Sequence, residues 1–177
     1  MSRLLGAAVL CCALAACTAG TPGTPSPVAT TSPRMDKPRN VANLDPCKLV
    51  TEDDFKRNKY GPFAAPPELH KEIPGTCAVW VSTSEPGNYL VVLAGVLPSP
   101  YEAEKANNPD GWQGLIEGHH VWFYCGGEER DISCVAWAAV AYERTLMVSL
   151  SRKDASESHL LLNTQGLITE LLARMPS

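Results

Sequence analysis

Residues 119–125 (HHVWFYC) and 132–141 (ISCVAWAAVA) decide the fold. Each is a run of β-branched, aromatic and small apolar residues, and only a polar, Gly-rich segment, 126–131, separates them. In the first run Val121, Phe123 and Cys125 share one face; in the second Cys134, Ala136 and Ala138 do. Folded as an antiparallel hairpin, the two faces meet and a bridge can form between Cys125 and Cys134. Tyr142-Glu143-Arg144 then turns the chain into a further strand over 145–151 (TLMVSLS), which alternates Leu146, Val148 and Leu150 with Met147, Ser149 and Ser151. One face of that strand is therefore partly wet.

Toward the C-terminus, Asp154 with Glu157 three residues on marks a helix start. The helix runs to about Met175, ahead of Pro176. Leu160, Leu161, Leu167, Ile168, Leu171 and Leu172 form its apolar stripe, which lies across the sheet. Gly166 interrupts this helix at a cost of about 1 kcal/mol against Ala, which close packing would explain.

Toward the N-terminus, residues 76–83 (TCAVWVST) and 89–97 (YLVVLAGVL) form a second hairpin around the turn Glu85-Pro86-Gly87-Asn88. The apolar continuity of 89–97 implies that both its faces are covered. Residues 101–107 have helix-forming composition, and 60–75, with four prolines, read as loop. A short helix opens at Thr51-Glu52-Asp53-Asp54, where Asp53 and Asp54 suit a solvated first turn better than a metal or acid–base pair. Residues 112–118 show no decisive pattern. The order of elements predicts an α+β domain: a roughly five-stranded antiparallel sheet, a long C-terminal helix packed across one face, and shorter helices.

The first residues are of a different kind. Arg3 precedes an apolar run too short to span a bilayer, and the run ends in Leu14-Ala15-Ala16-Cys17. This reads as a lipobox: a signal peptide over 1–16, then Cys17 lipidated on its sulfur. Cleavage without a lipid is the plainer alternative, disfavoured by the Leu-Ala-Ala-Cys order and the polar segment that follows. Two acyl chains hold a protein stably where one holds it marginally. Residues 18–43, rich in Thr, Pro, Ser and Gly, read as a disordered tether spanning roughly 28 Å. The expected organisation is signal peptide 1–16, lipidated Cys17 with tether to 43, and one domain over 44–177, anchored on the extracytoplasmic face of a membrane.

The chain has 177 residues and a formal charge of −4. Losing Arg3 leaves 14 basic against 19 acidic residues, with no basic cluster, which excludes nucleic acid and direct adhesion to anionic lipid. Of seven cysteines, Cys11 and Cys12 leave with the signal and Cys17 takes the lipid. Cys47, Cys77, Cys125 and Cys134 remain, an even number that reads as two disulfides in an exported domain. Three pairings can be drawn, and Cys47–Cys77 with Cys125–Cys134 is favoured. A four-cysteine zinc site would need closely spaced pairs, which are absent.

Leu44-Asp45-Pro46-Cys47-Lys48-Leu49-Val50-Thr51 matches an L-D-P-C-x-L-[LV]-T pattern, and Cys77-Ala78-Val79-Trp80 a C-x-W pattern with one residue more. With the lipobox and tether, the chain resembles the actinobacterial lipoproteins grouped as domain of unknown function 3558. The resemblance covers most of the mature chain and supports the Cys47–Cys77 pair. It implies a location and a fold but no activity.

No G-x-S-x-G elbow, H-E-x-x-H, P-loop or EF-hand sequence occurs. His119 and His120 begin a strand, point to opposite faces and read as a surface pair; His70 and His159 read as solvated. Trp80, Trp122 and Trp137 belong to the core. Trp112, in the polar segment 108–114, is the candidate contact residue for a partner or glycan. No cofactor and no metal is expected. The favoured reading is a non-catalytic binding or accessory module of the cell envelope, taking an envelope protein or small ligand. An envelope hydrolase whose residues converge only in the fold, and a structural or regulatory accessory of a neighbouring membrane protein, are the alternatives.

Overall fold

A computed structural model describes residues 33–128 and 130–177. The lipobox, Cys17 and residues 18–32 lie outside the described residues. Seven strands form one antiparallel sheet in the order β1-β2-β3-β7-β6-β5-β4. They are β1 (Glu68–Leu69), β2 (Thr76–Ser82), β3 (Tyr89–Leu97), β4 (Trp112–Ile116), β5 (His119–Glu128), β6 (Asp131–Ala141) and β7 (Arg144–Lys153). Among the described residues three α-helices accompany them: α1 (Asp53–Lys56), α2 (Tyr101–Asn107) and α3 (Glu157–Arg174). The architecture is α+β, as expected, with seven strands in place of five.

The central hairpin has the expected register. Val121 pairs with Ala138, Phe123 with Ala136 and Cys125 with Cys134, and Cys125 is bonded to Cys134. The ladder continues to Glu128 opposite Asp131, so most of the segment expected as a turn is strand. The two added strands are β1, inside the Pro-rich loop, and β4, which pairs Trp112 with Phe123 and Ile116 with His119 at the sheet edge. Cys47 is bonded to Cys77 across 30 residues, tying a single 3-10 turn over Pro46–Lys48 to β2. Gly95 of β3 lies so close to Gly75 and Thr76 that a Cβ would overlap the Gly75 carbonyl, so only glycine lets β2 and β3 meet there.

One face of the sheet carries the main core. Val79, Val81, Leu90, Val92, Val121, Leu146 and Val148 meet Leu160, Leu167, Ile168, Leu171 and Leu172 of α3. Ser156, rather than Asp154, caps α3, its hydroxyl accepting from the His159 N–H; Asp154 instead has a left-handed backbone, φ 57°. The opposite face is covered only in part. There α2 sets Tyr101 among Leu97, Trp122, Trp137 and Met147, so the helices do not all share one face. Farther along, Trp80, Val91 and Leu93 are half-buried and Tyr89 is exposed, so β3 is not covered on both faces as its composition suggested.

The domain also begins earlier than residue 44. Met35 bridges to His119, the Asp36 N–H donates to Gly118, and the Arg39 and Asn40 N–H groups donate to Val140 and Pro176. His120 donates its N–H to Arg34 and accepts the Arg34 N–H on Nδ1 at 3.0 Å. Residues 33–40 therefore form a strap across the ends of β5 and β6. Composition misled here because the strap is held by backbone hydrogen bonds and two half-buried side chains, Met35 and Arg39, and needs no apolar run of its own.

Candidate functional site

The four-residue helix α1 and the long α3 lie side by side at the edge of the main core. Between them is a groove of about 520 Å³, within the range of small-molecule sites. Its floor is Phe55, Leu90, Leu150 and Leu167, all buried. Tyr60, just after α1, and Asn163 of α3 bring the polar atoms. The Asn163 amide donates to the His159 carbonyl at 2.9 Å and, more weakly, to the Tyr60 hydroxyl at 3.4 Å. The Tyr60 hydroxyl also meets His159 Nε2 at 3.1 Å. The bond to the His159 carbonyl fixes which end of the amide is nitrogen, and the Asn163 oxygen receives no donor among the described residues.

Gly166 completes the wall. A Cβ built there meets nothing within 4 Å. Close packing, the sequence-based explanation, is therefore wrong: this glycine leaves space. It thins the wall of α3 where the helix borders the groove, despite the roughly 1 kcal/mol it costs the helix.

Ion pairs ring the mouth. Arg57 meets Glu170 at 2.6 Å, Lys56 meets Asp53 at 2.5 Å and Arg174 meets Asp54 at 3.0 Å. The first two are exposed, and surface pairs of this kind contribute little to stability. Their proximity holds the Asp53 carboxyl below its ordinary pKa and the Lys56 amine above its own, through the hydrogen bond first and the charge second. Asp54 differs, with a side chain only 7% exposed. It accepts from the Thr51 N–H, the Thr51 hydroxyl and Arg174, which also donates to Leu49. Asp54 is thus no solvated first-turn acid; it locks α1 to the end of α3 and sets the width of the groove.

The expected site residues scatter. His119 is fully buried, not a surface residue; Nδ1 lies 2.7 Å from the Ala139 carbonyl, and Nε2 has no partner among the described residues. The strap and β6 cover it, which strand position alone does not reveal. His120 is half-buried against Arg34, and His70 half-buried with Nδ1 accepting from Ile73. His159 is exposed as expected but bonded to Tyr60. Among the described residues no imidazole bonds a serine hydroxyl or a carboxylate, and no cluster of three metal-ligating side chains occurs. Trp112 is 39% exposed, but it opens the edge strand β4 and stacks on Phe123 with ring centroids 5.9 Å apart. Trp122 and Trp137 are buried as expected.

Tyr60 and Asn163 were not singled out by the sequence, and Gly166 stood out only as a glycine inside a helix. A signal was present: His159, Asn163, Gly166, Glu170 and Arg174 recur at three- and four-residue spacing, a second stripe beside the apolar one. No family model, no curated protein and no solved structure matches the chain.

Proposed function

We propose that this protein is a lipoprotein anchored through Cys17 on the extracytoplasmic face of a membrane, and that it is a non-catalytic module binding a small ligand in the α1–α3 groove. The groove is the observation that carries the reading: an apolar floor, a polar pair at one wall and a glycine that leaves room beside them. Two disulfides fit an oxidising compartment. Among the described residues no helix is long and apolar enough to cross a membrane, so a lipid on Cys17 would supply the attachment. The block from Leu44 to Thr51 and the Cys47–Cys77 bridge support kinship with the domain of unknown function 3558 lipoproteins.

Two measurements test this. Labelled palmitate should enter the wild-type chain in its native host and not the Cys17→Ala variant; absence of label overturns the anchor. The mature chain exposed to envelope extract should retain a small molecule in native mass spectrometry, and Gly166→Leu should lose it. A bare wild-type chain after that exposure overturns the binding role.

A further inference from the structure

We infer that the ligand of this groove is an uncharged amphiphile: a mainly hydrocarbon molecule carrying one hydroxyl or amide N–H. The inference rests on the groove being a binding site and adds what kind of molecule fills it.

Arg57, Lys56 and Arg174 are the cations nearest the mouth, and each already faces a carboxylate: Glu170, Asp53 and Asp54. Apart from that ring the lining is hydrocarbon with three neutral polar side chains, Asn58, exposed at the rim, and the buried Tyr60 and Asn163. A charged group carried inward would lose its hydration against the apolar floor of Phe55, Leu90, Leu150 and Leu167, a cost of several kcal/mol. A neutral molecule avoids it. The apolar floor then favours a hydrocarbon body, at roughly 25 cal/mol per Å² of surface withdrawn from water.

Polarity at the wall narrows the choice further. The Asn163 amide uses its nitrogen on the His159 carbonyl and the Tyr60 hydroxyl. Its oxygen remains an acceptor, and an acceptor at an apolar site selects a molecule that donates. Gly166 opens the space for the body of that molecule one helical turn farther on.

The test uses the mature chain with Cys17→Ser, so that no acyl chain competes, and four probes of equal chain length: decan-1-ol, decyl methyl ether, decanoate and decylammonium. Amide NMR follows Gly166 and the Asn163 side chain. Decan-1-ol should shift both saturably. It should bind several-fold more tightly than the ether, which lacks the donor, and at least tenfold more tightly than either ion. Gly166→Leu, whose Cβ meets nothing within 4 Å, should weaken decan-1-ol at least tenfold. Decanoate or decylammonium binding as well as the alcohol overturns the neutral class while leaving the groove a binding site. Equal binding of alcohol and ether overturns the donor requirement. No binding by any probe, or alcohol binding indifferent to Gly166→Leu, overturns the inference. The probe ranking on the unsubstituted groove decides the class even if the leucine variant fails to fold.

Discussion

Tyr101 carries its hydroxyl into the apolar cluster around Trp122 and Trp137, where no described group bonds it. Burial first, and the Glu102 charge second, push its pKa up to about 12. An unfolded tyrosine ionises near 10. The folded value is the higher one, so this contribution to stability is whole below about pH 10 and is lost as pH rises through about 12. Titration at the phenolate absorbance band should show one of the five tyrosines ionising late, and Tyr101→Phe should abolish that late step and its alkaline destabilisation. Five tyrosines titrating together near pH 10 would contradict the burial. Two glycines give an opposed pair of outcomes in thermal denaturation. Gly166→Ala, into open space, should stabilise by about 1 kcal/mol, whereas Gly95→Ala, against the Gly75 carbonyl, should destabilise by about 1–3 kcal/mol.

Elements differ in how openly the sequence states them. The β5–β6 hairpin was legible because its pairing face is marked residue by residue, from Val121 opposite Ala138 to Cys125 opposite Cys134. β4 was not, because Trp112-Gln113-Gly114-Leu115-Ile116 has no alternation of its own and is a strand by pairing with β5. β1 is two residues long in a Pro-rich loop, below the reach of any periodicity. The groove escaped for a related reason: Phe55 and Asn163 line it together, although more than a hundred positions separate them in the chain. The disulfides allow a quantitative check between elements. Loop closure gives about 3–4 kcal/mol for the bridge spanning 30 residues and about 2–3 for the one spanning 9. Replacing Cys47 and Cys77 with serine should therefore lower the denaturant midpoint more than replacing Cys125 and Cys134; the reverse order would place strain or residual structure ahead of chain entropy.

At the scale of the whole molecule, the strap makes residues 33–40 part of the domain. A chain lacking 33–43 should lose slow hydrogen exchange at the His120 amide and unfold at lower urea than the intact chain, since Arg34, Asp36 and Arg39 no longer cover His119 and the end of β6. An unchanged midpoint would make the strap a surface ornament. The sheet itself is two meanders, β1-β2-β3 and β4-β5-β6-β7, joined where β3 lies beside β7. Cys47–Cys77 ties the first half, Cys125–Cys134 the second, and neither crosses that seam. Along the chain these pairs follow one another without interleaving. In a polypeptide threaded through a pore from its amino end, joining the first two of these four sulfurs to emerge, and then the last two, gives the native connectivity.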